Sequence, residues 1–244
     1  MSSPAAAVEH RAAYTDVVGR DRWEVRAVNR WISGTLPVAA AAAPAGAVLD
    51  VGCGEQPFRS LVEANHRAYI GMDIAQNASG TVEVLGDLEH GGGPSSAQYP
   101  IVLCTEVLEH VIDIDLSFRG LRRLTMTDGL VMITIPFLFP EHRDPEDYRR
   151  LTAHGVAQLA RDHGFVVVSS VKLGAAPEVI ATMLSDVSVL PSAPTIRSRV
   201  KTRVLRAVKA WLVSRLASAP LGGDVTINSN CYLSTGIVLK AVAA

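Results

Sequence analysis

The sequence contains few cysteines and no long apolar run. Its three cysteines, Cys53, Cys104 and Cys231, form no Cys-x-x-Cys pair, which excludes a disulfide framework and a zinc knuckle. The most apolar stretch, 36–49, is interrupted by two prolines and a glycine, so it does not predict a membrane-spanning helix of about 20 residues. The first eight residues lack the basic and apolar segments of a secretory signal. These absences predict a soluble, cytoplasmic protein with no membrane span.

The sequence also lacks an excess of either charge. Its net charge is −1, so no overall field favours nucleic acid, which makes a nucleic-acid partner an unfavoured expectation. One segment differs, because seven basic residues and no acid lie between Arg197 and Arg215, and the rest of the chain therefore carries −8. In this segment valines and leucines recur every four residues: Val200, Val204, Val208, Leu212 and Leu216.

That pattern predicts an amphipathic helix over 197–215. Its apolar side is expected to pack on the main domain and its basic side to be solvated, since charge runs are usually solvated. A role at a membrane surface or towards an anionic substrate is the alternative. A homo-oligomer is compatible with the sequence, which does not determine the oligomeric state.

The composition and the alternation of predicted strands and helices together indicate an α/β fold. Of 244 residues, 48% are apolar and 19% are charged, which excludes disorder and a coiled coil and fits one domain with an insertion. Short apolar runs alternate with helical segments, as in a parallel sheet with helices on both faces. A leading helix is predicted over 9–33, ending at Gly34 and Pro37. The predicted strands span 48–51, 68–72, 81–85, 101–104, 130–135, 165–171 and 231–242.

The strongest local signal is a glycine pair that follows the first predicted strand. Gly52 and Gly54 allow a sharp turn and a close approach of the backbone to a ligand. A nicotinamide-type loop would need a third small residue at the position of Pro57, so dinucleotide binding is disfavoured. Asp73 ends the next predicted strand about twenty residues after the loop, where a carboxylate can accept hydrogen bonds from ribose hydroxyls.

Further motifs follow the Asp-Val-Gly-Cys-Gly loop in a fixed order. They are Gly86-Asp87-Leu88, the segment 103–111, Ile135-Pro136-Phe137, the segment 147–152 and Gly164-Phe165. Over residues 45–173 this series resembles the class I S-adenosylmethionine-dependent methyltransferases, in particular their small-molecule branch. The resemblance implies a Rossmann-like, seven-stranded, mostly parallel sheet with an antiparallel last strand, helices on both faces and a helical insertion before the last strand.

We divide this single methyltransferase domain, 1–244, into four parts. They are a helical lid at 1–44, a cofactor-binding core at 45–173, a helical insertion at 174–229 and the last strand at 230–244. Nearly sixty residues separate the last two predicted strands, far more than an ordinary connection, which is why an insertion is expected there.

The resemblance implies S-adenosylmethionine as the cofactor and assigns its contacts to C-terminal strand ends. The loop Gly52, Cys53 and Gly54 is expected to pass the methionine part, with Asp50 at its base. The implied cofactor residues are Asp50, Gly52, Cys53, Gly54, Met72, Asp73, Ile74, Asp87, Leu88, Thr105 and Glu106.

The same resemblance distributes the rest of the cofactor. Asp73 would hold the ribose hydroxyls, and Met72 or Ile74 would lie against the adenine. Asp87 would meet the adenine amino group and the Leu88 backbone its ring nitrogen. The residues just beyond the fourth strand, 105 and 106, would line the floor of the pocket.

A second group of residues suits metal binding or proton transfer. On a helix starting near Thr105, the spacing would place Glu106, Glu109 and His110 on one face, and His142 follows the fifth strand at the same edge. Two carboxylates and two imidazoles suit a divalent ion such as Mg or Mn. The Glu-x-x-Glu-His pattern is similar to that of the small-RNA 2′-O-methyltransferases and the ubiquinone-pathway O-methyltransferases, where it binds metal.

The alternative needs no metal. Acids in the first turn of a helix interact favourably with its dipole. An imidazole titrates near neutral pH, so His142 or His110 would then be the catalytic base that removes a hydroxyl proton from the acceptor. Phe137 and Phe139, among prolines in the loop after the fifth strand, are expected to form an acceptor wall. Cys53 and Cys104 are expected to be unreactive.

The function predicted from the sequence is methyl transfer to a small molecule, as in natural product biosynthesis. The favoured reaction is O-methylation of a hydroxyl of a secondary metabolite or sugar. One alternative is a cofactor-binding protein of the same fold that catalyses a cyclisation or another non-methylating reaction. The other is an RNA methyltransferase that uses the basic segment 197–215 as a phosphate platform.

Overall fold

A seven-stranded sheet forms the centre of the protein. The computed structural model describes residues 19–93, 98–142, 146–188, 195–217 and 230–243. The strands lie in the order β3-β2-β1-β4-β5-β7-β6. They are β1 (Val48–Val51), β2 (Tyr69–Asp73), β3 (Val84–Leu85), β4 (Tyr99–Thr105), β5 (Thr125–Pro136), β6 (Phe165–Leu173) and β7 (Ser234–Ala241). Each predicted strand is present, and the Rossmann-like class is confirmed.

The pairing of the strands creates one functional edge. β1 lies between β2 and β4 in parallel, β4 pairs in parallel with β5, and β7 runs antiparallel between β5 and β6. The C-terminal ends of β1, β2, β4 and β5 therefore share one side of the sheet, which we term the carboxyl edge. Ligands of open α/β sheets bind outside such an edge.

Helices cover both faces of the sheet. They are α1 (Arg22–Ala42), α2 (Arg59–Ala64), α3 (Ile114–Leu124), α4 (Ala153–Asp162), α5 (Ala176–Asp186) and α6 (Ile196–Ala217), and a 3-10 turn at Gly19–Asp21 precedes α1. Phe118 of α3 and Val156 of α4 are buried in the core on one face, and Ile32 of α1 in the core on the other. Along the chain, α5 and α6 come between β6 and β7, as expected for the helical insertion.

The leading helix runs further than predicted. α1 continues through Gly34 and Pro37 to Ala42, so the expected end at these residues was wrong. The buried side chains of Ile32 and Leu36 pack against the sheet, and alanines with high helix propensity follow. Tertiary packing thus outweighs the hydrogen bond that proline removes. The part of the predicted segment before residue 19 lies outside the described residues.

The longest helix of the insertion also packs differently from the prediction. On α6 the valines expected to face the domain are about half exposed: Val200 by 53%, Val204 by 56% and Val208 by 47%. The buried residues near the start of α6 are Ser198 and Thr202. The interpretation of the valine stripe as the packed side was therefore wrong, because α6 packs through another part of its circumference. In the described part of the chain, every helix is too short or too polar to cross a membrane.

Candidate active site

The glycine loop after β1 has the backbone that the sequence pattern predicts. Gly52 has φ +67° and Gly54 has φ +50°, both in the left-handed region that favours glycine. A Cβ on Gly52 would lie 2.3 Å from Cγ2 of Val107, which belongs to the turn after β4. Only glycine therefore fits position 52, and the loop directly contacts the neighbouring turn.

Asp73 joins the end of β2 to this loop. Its carboxylate accepts hydrogen bonds from the backbone N–H groups of Gly54 at 2.9 Å and Ile74 at 2.7 Å. The register of β1 and β2, with Val51 opposite Met72, brings the two strand ends side by side. The two halves of the sequence motif thus meet at the carboxyl edge.

The adenine side of the proposed pocket follows β2 and β3. Met72 is buried in the core, whereas Ile74 is 57% exposed, so Ile74 is the side chain available to a ring. Leu88 is buried, and its carbonyl oxygen lies close to Gly120 of α3. The backbone next to Leu88 is consequently held against a helix.

Asp87 is paired at the same side of the sheet. Its carboxylate accepts hydrogen bonds from the Glu89 backbone at 2.8 Å and lies 2.7 Å from Nδ1 of His90. Partial burial works against ionisation, but these hydrogen bonds outweigh it and lower the pKa of Asp87. Asp87 therefore presents a negative acceptor, as a partner for an amino group requires.

Asp50 lies at the base of the glycine loop with one oxygen free of hydrogen bonds. Oδ2 accepts a hydrogen bond from the Tyr69 hydroxyl at 2.6 Å, whereas the buried Oδ1 has no hydrogen-bond partner. Burial raises the pKa of Asp50 to about 7; the Tyr69 hydrogen bond opposes this shift and the charge of Asp73 adds to it. A cationic ligand group above the loop would relieve the cost of ionising Asp50.

Asp50→Asn is expected to stabilise the ligand-free protein at alkaline pH. Between the ordinary pKa of 3.8 and about 7, the unfolded carboxyl is ionised and the folded one is protonated, so wild-type stability falls as pH rises. Asparagine keeps an acceptor for Tyr69 but cannot ionise. We expect a gain of about 1–4 kcal/mol at pH 8 and little gain near pH 4.

Urea unfolding at several pH values measures this effect. Asp162→Asn, on the exposed face of α4, is the control and should change stability little at any of them. Equal stabilities of wild type and Asp50→Asn at pH 8 would contradict the raised pKa.

The two buried cysteines beside the loop carry protonated thiols. Burial raises the pKa of Cys53 to about 12, with the charges of Asp50 and Asp73 adding to the effect. Burial, and then the charge of Glu109, raises the pKa of Cys104 well above its usual range. Since the thiolate is the nucleophilic form, neither residue suits covalent catalysis. This agrees with the expectation that both are unreactive.

The helix expected to start near Thr105 is absent. Residues 106–113 form a turn, and α3 begins only at Ile114, where the Asp113 side chain caps its first turn. Glu106 has φ +53°, and its N–H donates to the carbonyl of Thr134 on β5 at 3.1 Å. The prediction that Glu106, Glu109 and His110 lie on one face of a helix was therefore wrong, because the backbone leaves β4 in a left-handed turn.

The turn nevertheless brings three of the four expected metal ligands together. Donor atoms of Glu109, His110 and His142 lie within 4.8 Å of one another, whereas Glu106 does not join this group. Glu109 is fully buried, neither of its carboxylate oxygens has a hydrogen-bond partner, and its Oε1 lies 3.5 Å from Nε2 of His110. Burial, and then the charge of Glu106, raises the pKa of Glu109 well above its usual range.

His142 lies beside a buried ion pair between Asp147 and Arg150. Its Nδ1 lies 3.0 Å from Oδ2 of Asp147, and its backbone N–H donates to the same oxygen at 3.1 Å. Arg150 binds both oxygens of Asp147, at 2.6 Å for Oδ2. Burial opposes ionisation of Asp147, but Arg150 outweighs it and lowers the pKa of this carboxyl. The ring of His110 meets that of His142 edge-on at 4.9 Å.

Two arginines hold the loops after β4 and β5 together. Arg149 donates to the carbonyls of Leu108 at 3.0 Å and Ile112 at 2.8 Å, in the turn after β4. Arg150 reaches the Pro140 carbonyl at 3.3 Å in the loop after β5. In the sequence, the segment 147–152 was recognised only through the family resemblance. Its acid and arginine, three residues apart at 147 and 150, were the available signal for an ion pair.

Two buried hydrogen-bonded pairs were not predicted from the sequence. The Tyr69 hydroxyl, at the start of β2, donates a hydrogen bond to Asp50. Glu24 of α1 accepts a hydrogen bond from the Ser234 hydroxyl at 2.7 Å. No local pattern indicates either pair, because each joins separate elements of the fold.

An apolar cluster covers the loop that carries His142. Its buried members come from α1, the loop after β5, α5 and the start of β7: Trp23, Phe139, Val179, Ala181 and Leu233. Phe137 stacks on Tyr232 with ring centroids 4.7 Å apart. Of the two expected wall residues, Phe139 is thus part of a packed core, and Phe137 is partly exposed.

Comparisons with known proteins give a consistent result. A family model described as "Methyltransferase domain" matches residues 23–170. A SAM-dependent methyltransferase from Archaeoglobus fulgidus is structurally similar, with 16% identity and a TM-score of 0.56, over 91% of this chain and 97% of that one. No curated protein matches the chain in sequence.

Two further solved structures share the fold. The 1,6-didemethyltoxoflavin-N1-methyltransferase of Burkholderia thailandensis, with bound 1,6-didemethyltoxoflavin and S-adenosylhomocysteine, is 14% identical with a TM-score of 0.56, over 92% of this chain and 82% of that one. The cyclase SpnF is 12% identical with a TM-score of 0.56, over 98% and 89%. At these identities the likeness establishes the fold alone.

Proposed function

This chain belongs to the class I S-adenosylmethionine-dependent methyltransferases, and on that premise we propose that it methylates a hydroxyl of a small molecule, such as a secondary metabolite or a sugar. The contact between Gly52 and Val107 carries the proposal. Through it, the loop assigned to the methyl donor adjoins the turn that bears Glu109 and His110. Donor and proton-handling groups thus share one edge of the sheet.

The residues at the ends of β1 and β2 fit the cofactor. Gly52 and Gly54 leave the backbone open to close approach, and Oδ1 of Asp50 is a buried acceptor without a hydrogen-bond partner. We propose that Asp73 holds the ribose hydroxyls and that Ile74 lies against the adenine. Cys53 would contribute backbone and bulk to the loop, since its thiol stays protonated.

The remaining cofactor contacts are proposed at β3 and β4. Asp87 would meet the adenine amino group, the Leu88 backbone its ring nitrogen, and Thr105 and Glu106 the floor. Thr105 ends β4 and is buried, which suits a floor position.

The protein's task in the reaction is to align the acceptor and manage one proton. S-adenosylmethionine, when bound, supplies the methyl group and a thioether leaving group. As the new C–O bond forms and the C–S bond breaks, we assign the hydroxyl proton to Nε2 of His142 and then to solvent. The carboxylate of Asp147 lies 3.0 Å from the opposite ring nitrogen and accepts a hydrogen bond from the His142 backbone N–H, which keeps the base beside this negative charge. His110, edge-on to His142, is the second candidate base.

Burial of the site favours a small acceptor. The side chain of His142 is 19% exposed, that of His110 is 14% exposed and that of Glu109 is inaccessible. A residue of a folded macromolecule would not reach these groups without displacing the apolar cluster around Phe139. We propose that the residues 1–44, of which 19–44 are described, act as a lid, since Trp23 belongs to that cluster.

The decisive experiment is product analysis. Wild-type protein, S-adenosylmethionine and a panel of hydroxylated small molecules should yield S-adenosylhomocysteine and an acceptor heavier by one CH2 unit. Cofactor binding without S-adenosylhomocysteine for any acceptor would favour a non-methylating reaction on the same fold.

Chelation distinguishes the two proposed roles of the histidines. Glu109, His110 and His142 offer one carboxylate and two imidazoles to a divalent ion such as Mn, whereas the contact of His142 with Asp147 suits a metal-free base. We expect full activity in excess chelator. Loss of activity that added magnesium or manganese restores, but calcium does not, would instead make these residues metal ligands.

A further inference from the structure

The outward side of α6 is apolar, which is the reverse of an ordinary surface helix. At 100° per residue, the side chains at 196, 200, 204, 207 and 211 fall within an arc of about 80°. Ile196 is 81% exposed, Val204 56% and Trp211 58%. The buried Ser198 and Thr202 lie on the opposite side of the helix. The apolar stripe therefore points away from the domain.

Basic side chains flank this stripe on both sides. Arg197, Lys201 and Arg215 follow one border, and Arg199, Arg203 and Arg206 the other. The seventh basic residue, Lys209, turns inwards and donates to the carbonyls of Ser185 and Val187 near the end of α5. No acidic residue occurs within Ile196–Ala217. The exposed surface of α6 thus combines an apolar stripe with six flanking cations.

We propose that this surface of α6 docks on an anionic lipid bilayer, with the stripe in the interface and the flanking cations at the lipid phosphates. A helix lying in the membrane plane buries its apolar side about 5–10 Å deep, while arginine and lysine stems let the charges reach the headgroups. Trp211 suits the same boundary, since it is amphipathic and lies beside Arg215 at 5.8 Å.

Charge distinguishes this partner from two others. A second copy of the chain docked through the same surface would bring the arginines and lysines of two α6 helices together without an acid on α6. A nucleic acid would pair with the cations but would leave the outward apolar stripe without an apolar partner. An anionic bilayer offers partners to both the cations and the apolar stripe. The rest of the chain carries a net charge of −8, which the bilayer repels, so the protein orients with α6 towards the membrane.

Vesicle sedimentation with the full-length chain tests the proposal, independently of methyl transfer. The protein should bind vesicles that contain phosphatidylglycerol but not pure phosphatidylcholine, and high salt should release it. Trp211 fluorescence should shift to the blue on binding, and Trp211→Phe should lose that shift.

Matched substitutions locate the surface. Val204→Glu should abolish binding, whereas Val168→Glu on β6, equally exposed at 56%, should bind as wild type does. Arg199→Gln with Arg203→Gln should weaken binding about 30-fold. Arg161→Gln with Arg119→Gln, away from α6, removes the same charge and should weaken binding far less.

Several outcomes would overturn the proposal. They are absence of vesicle binding, binding that does not depend on phosphatidylglycerol, and binding that survives Val204→Glu. If the protein does not bind vesicles but dimerises with rising concentration or binds RNA through α6, the surface belongs to that partner instead.

Discussion

Replacing Asp73 with alanine is expected to weaken S-adenosylmethionine binding roughly 30- to 900-fold, or about 2–4 kcal/mol. Two effects contribute to this loss. The carboxylate would no longer accept hydrogen bonds from ribose hydroxyls, and the Gly54 N–H, bound to Asp73 at 2.9 Å, would lose its partner. Calorimetric titration of cofactor into both proteins measures the change.

Controls separate ribose recognition from loop order. Asp73→Asn keeps an acceptor for Gly54 but loses the charge, so its affinity should be intermediate. Glu63→Ala, on the exposed side of α2, removes an acid without touching the site and should bind as wild type does. Equal affinities of Asp73→Ala and wild type would reject the ribose assignment, and with it the proposed cofactor geometry.

Replacing His142 with alanine should lower kcat about 10²- to 10⁴-fold, the usual contribution of a positioned general base. The affinity for S-adenosylmethionine should change little, because the proposed cofactor residues lie at the ends of β1 to β4, whereas His142 lies in the loop after β5. Steady-state kinetics, with product followed as S-adenosylhomocysteine, measures both quantities. If His142→Ala is as active as wild type, the general base is His110 or solvent instead of His142.

Asp147 gives an independent check on this assignment. We classify it as a positioning residue, since it contacts the imidazole and not the substrate. Asp147→Asn should lower kcat less than His142→Ala and alter the pH dependence of kcat, because the carboxylate beside Nδ1 stabilises the protonated ring. His154→Ala, on the exposed side of α4, removes a histidine elsewhere and should leave the kinetics unchanged.

Asp50→Asn also tests whether protein stability and cofactor binding oppose each other at this site. Asp50→Asn is expected to stabilise the ligand-free protein, yet it removes the buried carboxylate at the base of the glycine loop. We therefore expect weaker cofactor binding from a more stable protein. Stability lost for the sake of a functional group is a general property of binding sites.

The fold was largely predictable because its signals are local. β1 and β4 are short apolar runs buried throughout, and glycines with left-handed backbone follow β1 directly. The motif spacing then identified Asp73 as the partner of the glycine loop. In a parallel sheet neighbouring strands end at the same edge, so sequence order alone predicted that the two would meet.

The errors arose where a distant contact decides the local structure. The turn after β4 looked helical, but a hydrogen bond from Glu106 to Thr134 on β5 holds it in another conformation. Pro37 suggested the end of a helix, but α1 continues beyond it because Leu36 packs in the core. Which side of α6 is buried depends on where α5 lies, and the valine repeat does not contain that information.

By itself, the sequence determined the family, the sheet, the glycine loop and the acid at the end of β2, because each depends on residues close together in the chain or on strand order. Only the tertiary structure decided that Glu106 stays apart from Glu109, His110 and His142, that Asp147 lies beside His142, and that the apolar stripe of α6 faces outwards. Those arrangements depend on side chains from separate elements, whose relative positions are set by packing and buried hydrogen bonds rather than by spacing along the chain.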